Sequence, residues 1–337
     1  MKSFFSSGLK YIILLILGVG LLIFAFRGQD LNKLISDLQE ADYQWVFASV
    51  FFAVLAHILR AYRWRMMITA LGYGKPRMMN TLFAVFTGYL ANLALPRMGE
   101  VSRCGVIHKT DGIPVVKLIG TVVAERIIDL LMLLLITAVG ILIQFELLSD
   151  FLYSHILLKI NQGSVESGIV ILVFALLLFM IILLLVIAGR KKPGIFLRIS
   201  NLIADIQSGI LSVRAMNHKL LFVLFSLMIW GFYGISAYLC FFALPATEGL
   251  GFIEAVSTLI FSSFAMIAPV QGGIGAYHWM VSEGLTVYGI SKSDGLAYAL
   301  LTHSTQTLII LIAGSVSLIL LFFKSSKAKE NGKTGNY

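Results

Sequence analysis

The 337-residue chain is short of charge. Asp, Glu, Lys and Arg make up 13% of it, against roughly 25% in an ordinary soluble domain. So few charges cannot cover a soluble globule of this length. Cysteine is almost absent as well: Cys104 and Cys240 are the whole supply, and no Cys-x-x-Cys or Cys/His spacing joins them. A disulfide framework and a zinc module are therefore not expected. No Gly-x-x-x-x-Gly-Lys-Ser/Thr loop, no His-Glu-x-x-His and no Ser/His/Asp arrangement can be argued from spacing. The expectation is a chain with no cofactor, no metal and no catalytic constellation. Acidic residues are scarcer than basic ones, 17 against 26, for a net charge of +9. In a soluble protein that excess would point to nucleic acid. Here the Lys and Arg residues lie in short segments between apolar runs, so nucleic acid is not an expected partner. Their expected work is to set topology and to meet anionic head groups.

What the chain does have is apolar sequence, 58% of all residues, with a mean hydropathy of +0.91. It is gathered into runs, among them residues 11–26, 168–189 and 296–323. A hydrocarbon core of about 30 Å takes roughly 20 residues of helix. The fold class is therefore an all-α polytopic membrane protein of about eight or more transmembrane or re-entrant elements. One membrane domain fills residues 1–324, and residues 325–337 form a Lys-rich tail expected to be disordered and cytoplasmic. The first apolar run ends without a small-x-small cleavage site, so it is read as a transmembrane helix and not as a removable signal.

Charge alternation orients the spans. A helix at residues 9–26 leads into residues 27–42, which carry a net charge of −2. A second helix at 44–59 runs into Arg60, Arg63, Arg65, Lys75 and Arg77, five positive charges without an acid. By the positive-inside rule this loop and both termini are cytoplasmic, in the plasma (inner) membrane. A helix at 118–145 precedes an acidic, outside segment at 146–167. A helix at 168–189 returns to a basic inside segment, within which 195–213 reads as amphipathic, and a helix at 220–244 leads out again. Two stretches do not fit as simple spans. Residues 78–117 must begin and end inside, and 252–293 must begin and end outside. Each is either a pair of short helices or a re-entrant hairpin, and each is broken near its middle by Pro and Gly.

The two broken stretches resemble each other. Both read Pro, two residues, then Gly, then a short helix, then Asp-Gly (Asp111-Gly112 and Asp294-Gly295) and a long span. One enters from each side, which is the pattern of an inverted repeat with a site near the midplane. Non-helical backbone at that depth has to be buried in protein or line a wet cavity.

Charge inside the apolar spans marks the candidate site, because each such group costs about 2.5–3.5 kcal/mol near a helix centre. Glu125 and Asp129 share one helix face, and Arg126 is placed to pair with Asp129 at i,i+3. That trio is net negative, so a cation is expected from Arg97, Arg103 or a lysine. The group is either a structural ion network or the polar wall of a substrate path. Around the first break stand Asn92, Arg97, Glu100 and Arg103. Arg97 and Arg103 could grip a phosphate together with the freed N–H groups of a half-helix, or simply snorkel. Arg60, Arg63 and Trp64 read most simply as an interface anchor. The run Gln271-Gly272-Gly273-Ile274-Gly275 suits a hairpin tip, and His57 suits a satisfied polar group facing the bundle. His278 and His303, with Glu283 nearby, form no ligand triad.

Taken in order, these residues resemble a known family. Arg60-x-x-Arg63-Trp64, Asn92-x-x-x-Pro96-Arg97-x-Gly99-Glu100-x-x-Arg103, Glu125-Arg126-x-x-Asp129 and Pro269-x-x-Gly272-Gly273-x-Gly275 resemble the flippase-like membrane domain of lysylphosphatidylglycerol synthases. The resemblance runs from the second helix to the last. It implies movement of a lipid, often an aminoacylated or otherwise modified phospholipid, between leaflets. It also implies anionic or modified phospholipid head groups as partners, and a lipid-modifying enzyme as a candidate one. The motif residues and His278 would line the lipid path. The alternative is a non-catalytic accessory or scaffold subunit of a lipid or cell-envelope glycan enzyme. The chain ends at Tyr337 without the aminoacyl-transferase domain of the bifunctional synthases, so it is expected not to be an enzyme. It departs from the family's pattern at Gln271, where the family has Pro, and at His278, where it often has Glu.

Overall fold

The computed structural model describes residues 2–145, 216 and 218–333, with side chains described from Ile13 to Lys324 within those ranges. The expected helix at 168–189, the amphipathic stretch at 195–213 and the acidic segment at 146–167 lie outside the described residues. Among the described residues the structure is helical and contains no strand. Its elements are α1 (Lys2–Phe26), α2 (Leu31–Gln39), α3 (Tyr43–Ala70), α4 (Met78–Ala94), α5 (Met98–Asp111), α6 (Val115–Ile143), α7 (Lys219–Phe241), α8 (Phe252–Ala265), α9 (Ala276–Thr286) and α10 (Lys292–Lys333). A single 3₁₀ turn, Gln271–Gly273, stands between α8 and α9.

Among the described residues four helices are long and apolar enough to cross a membrane: Tyr43–Ala70, Val115–Ile143, Lys219–Phe241 and Lys292–Lys324. The pair α1 and α2, bent by 91°, makes a fifth if counted as one span. Their outer faces carry rows of exposed Leu, Ile and Val, such as Leu131, Leu134, Leu135 and Leu142 on α6. In water that surface would be an aggregation liability, whereas in lipid it is the expected coat. The helix α2 was not expected within the polar 27–42 segment. Asp30 caps it by accepting from the Asn32 and Lys33 amides, and Lys33 reaches Asp294 at the start of α10.

The described helices fall into two series of like order, α3–α6 and α7–α10: a long helix, two short ones about a break, and a long helix. The long helices α3 and α7 lie antiparallel, with Ser49 Oγ 2.8 Å from Ser236 Oγ and Trp45 stacked on Phe242 near one end. Each short pair is a hairpin with both ends at one end of the bundle. At the mouth of the first, Asp111 accepts from the Arg77 amide at 3.2 Å and from Asn80 Nδ2 at 3.0 Å. Lys324, near the far end of α10, donates to Asn80 there. At the mouth of the second, Gln144 at the end of α6 donates to Ser257 on α8 and accepts from the Tyr288 hydroxyl just past α9. The hairpins thus enter from opposite ends of the bundle. Their tips meet: a Cβ on Gly272 would stand 2.8 Å from Leu93 Cδ2.

Each hairpin has its own core. Ala61, Trp64, Ile68, Ala84, Cys104, Ile107 and Leu118 pack around the first. Phe241, Val270, Tyr277, Leu285, Leu296 and Tyr298 pack around the second. Cys104 is buried on the face of α5 that packs into this first core. Both cysteines are free.

Candidate functional site

The charges meet at one place. Arg60 and Arg63 are one turn apart on α3, so they face the same way. Arg103 comes from α5, and Glu125 and Asp129 from α6. All five are buried, with Arg63 and Glu125 completely so. Arg103 Nη1 is 2.9 Å from Glu125 Oε2, while Arg60 and Arg63 approach Glu125 Oε1 at 3.4 and 3.8 Å. Arg63 Nη2 is 2.6 Å from Asp129 Oδ1, and Arg60 Nη2 is 3.0 Å from Asp129 Oδ2. Arg103 also lies over the Trp64 ring at 4.6 Å, and Trp64 Nε1 donates to Thr121. Removing one member of such a group would strand the others, at about 3–5 kcal/mol for a buried pair.

Three expectations are corrected here. Arg60 and Arg63 are not an interface anchor: they belong to α3 well before its end at Ala70, and the i,i+3 spacing turns both inward toward the α6 carboxylates. Arg126 does not pair with Asp129. It reaches across to Glu100 on α5 at 3.6 Å, because Asp129 is already held from α3. The cations that compensate Glu125 are Arg60, Arg63 and Arg103. Arg97 plays no part in this group. It stands exposed at the break in the left-handed region, φ 64°. Arg103, by contrast, is buried and holds Glu125 through Nη1.

The break itself is closed by the protein. Asn92 Oδ1 accepts from the Gly99 amide at 2.7 Å, taking one freed donor of α5. Gly88 and Gly99 let α4 and α5 touch: a Cβ on Gly99 would stand 2.2 Å from the Gly88 carbonyl oxygen. Pro96 ends α4 and Glu100 opens α5. At the second tip, after Pro269, Gly272, Gly273 and Gly275 take φ of 58°, 81° and 80°, a region open to glycine at little cost. His303 is 2.8 Å from the Gly272 carbonyl through Nε2. His278 Nδ1 accepts from the Gly275 amide at 3.3 Å, and the two imidazoles meet edge to face at 4.8 Å. His278 is thus a cap on the broken helix.

Beside the ion group lies a cavity of about 400 Å³. Arg60, Arg126 and Asp129 make its charged wall, with His57, Tyr89 and Tyr233 close by. Its other walls carry Trp230 from α7, Met266 and Ile267 from the second tip, and Thr305 and Gln306 from α10. His57 is held by the Tyr233 hydroxyl at 3.4 Å and by the Tyr89 and Phe86 rings, as its expected role required. An apolar cleft of about 400 Å³ between α6, α7 and α8 adjoins the cavity and shares Trp230 and Leu259 with it. A further groove of about 350 Å³ between α5 and α6 shares Arg126 and Leu130. Of the expected path residues, Arg60, Arg126 and Asp129 line the cavity. Arg63, Arg103 and Glu125 support them, and Glu100 holds Arg126. Asn92, Pro96, Gly99, Pro269, Gly272, Gly273, Gly275 and His278 shape the tips. Tyr89, Trp230, Tyr233, Thr305 and Gln306 were not expected, and the only signal for them was uncharged polarity within apolar spans. Among the described residues no group of three or more His, Cys, Asp or Glu converges as metal ligands would.

Neither curated proteins nor solved structures return a match to the chain. A family-wide sequence model does, over residues 11–314, which spans both series of helices and every residue of the ion group. The chain belongs to the family described as the lysylphosphatidylglycerol synthase TM region.

Proposed function

We propose that this membrane domain moves a lipid between leaflets, with the head group passing through the cavity beside the ion group. The observation that carries the reading is the pairing of two unlike spaces. A cavity with a charged wall lies beside the ion group, lined in part by Met266 and Ile267 of the second tip, and an apolar cleft adjoins it at Trp230 and Leu259. An amphipathic ligand matches such a pair, whereas a lone ion has no use for the cleft. In transporters built from inverted repeats, the substrate site lies where the broken helices meet. By the positive-inside rule the basic loop of Arg65, Lys75 and Arg77 supports a cytoplasmic mouth for the first hairpin and cytoplasmic termini, and the plasma membrane is the setting that fits this reading. The chemistry needed is desolvation and passage, so the reading is of a carrier and not of an enzyme.

The test is leaflet movement in vesicles of the purified chain, with phosphatidylglycerol carrying a short fluorescent chain and chemical quenching from outside. Movement at least about tenfold above protein-free vesicles is expected, with most of that gain lost in Arg126→Gln. Movement no faster than in protein-free vesicles would overturn it. If the chain then co-purified with a lipid or glycan enzyme, the scaffold role would be favoured.

A further inference from the structure

The cavity's lining has a definite chemistry. Its charged wall holds two arginines, Arg60 and Arg126, and one carboxylate, Asp129. The wider group behind it sets four arginines against three carboxylates, counting the Arg126–Glu100 pair. One positive charge is in surplus. At low dielectric that surplus attracts one anion and repels an added cation strongly.

Two donors in the lining residues, Trp230 Nε1 and Arg60 Nε, make no hydrogen bond among the described residues. Both atoms are sealed within the protein, so they add to the positive field of the lining and make no contact with a ligand themselves. That field opposes an ammonium group and favours an acceptor. Thr305 and Gln306 also line the cavity, from α10. Gln306 lies about 21 Å along α10 from Lys292, far from either end of the span Lys292–Lys324, and its amide both donates and accepts. The hydroxyls of Tyr277 and Tyr298 are already committed, to Thr302 and to the Ala237 carbonyl. Tyr277 thus offers the cavity ring surface and not a polar tip, while Tyr298 is fully buried behind it. Aromatic surface beside hydroxyl and amide groups suits a ligand whose own surface alternates C–H and O–H.

We infer that the cavity takes the head group of a lipid phosphodiester bearing a sugar or polyol without an added cationic group, its phosphate toward Arg60 and Arg126 and its hydroxyls toward Gln306 and Thr305. The inference rests on reading the cavity as a lipid site. The same chemistry could come from a sugar on a prenyl phosphate or from a polyol on a glycerophospholipid, and the probes separate the two.

The experiment is equilibrium binding to the purified chain in neutral detergent micelles, read by native mass spectrometry. The probes are a farnesyl-phosphate hexose, phosphatidylinositol, phosphatidic acid, a neutral galactosyl diacylglycerol and lysyl-phosphatidylglycerol. At least one of the first two should bind about tenfold or more tighter than phosphatidic acid and the galactolipid, and whichever leads identifies the source. Lysyl-phosphatidylglycerol should bind about tenfold or more weaker than the leading probe. Gln306→Ala should bring the leading probe down to the level of phosphatidic acid while leaving phosphatidic acid unchanged. Arg126→Gln should weaken all phosphate-bearing probes and spare the galactolipid, with Arg126→Lys restoring part of the loss. Lysyl-phosphatidylglycerol binding as tightly as the leading probe would overturn the inference. So would a Gln306→Ala chain that loses every probe equally, or a galactolipid that matches the phosphates. Selective binding without leaflet movement in vesicles would sink the translocation reading and leave this one standing. Movement of all lipids alike without selective binding would do the reverse.

Discussion

The turn of the first hairpin is closed by Asn92 and backed by three arginines and two carboxylates. The turn of the second is closed by two imidazoles and three positive-φ glycines. Both sit at the same meeting point, entered from opposite ends, so both must satisfy broken-helix backbone away from water. One half does this beside a dense charge network, the other with uncharged groups and backbone shape. Repeated architecture therefore does not require repeated chemistry. Once one half carries the charge needed to face a polar ligand, the other is free to supply only form.

The sharpest break of this comparison is topological. Single cysteines at 70 and 112 should react with a membrane-impermeant reagent from one side only, and one at the exposed position 291 from the other side only. Labelling of 112 and 291 from the same side would abolish the opposed-hairpin arrangement. Next in size, Glu125→Ala should cost about 3–5 kcal/mol by leaving three arginines without it. His278→Ala should cost only about 1–3 kcal/mol for one lost cap. Thermal unfolding in detergent reads both, and equal losses would deny that charge separates the halves. Glycine comes third. Gly99→Ala should destabilise by about 1–3 kcal/mol through backbone overlap, and Gly272→Ala by about 1–2 kcal/mol through its left-handed conformation. Gly105→Ala on the same α5, where a Cβ meets nothing within 4 Å, is the control. The smallest effect belongs to Lys33→Ala, about 0–1 kcal/mol, since Lys33 is 48% exposed in its pair with Asp294. A larger loss there would mean that α2 clamps the second half.

Much of this was legible in the sequence. Both hairpins could be placed because Pro and Gly break helices locally and because charge alternation left each stretch with its ends on one side. The ion group was only half legible. Glu125 and Asp129 stood out as charges inside an apolar run. Arg60 and Arg63 read as the end of a helix, because a hydropathy pattern stops at the first charge and cannot see a carboxylate 65 residues further on. Arg126 was misassigned for a related reason: i,i+3 spacing permits a pair, but tertiary partners decide it. Gln306 and Thr305 are single uncharged groups that hardly lower the hydropathy of α10, and Trp230 and Tyr233 look like core until a cavity is found against them. The helix α2 was hidden by its own polarity.

The contact between Gly88 and Gly99 has a mechanical consequence. Two helices that touch backbone to backbone have no side-chain layer to compress or slide, and a Cβ on either would strike a carbonyl oxygen. The arms of the first hairpin are thus welded, and Asp111 ties their far ends at Arg77 and Asn80. Such a piece transmits displacement from mouth to tip without damping. A rearrangement that keeps this contact moves the two arms together as one wedge, which the short segments at residues 71–77 and 112–114 join to α3 and α6.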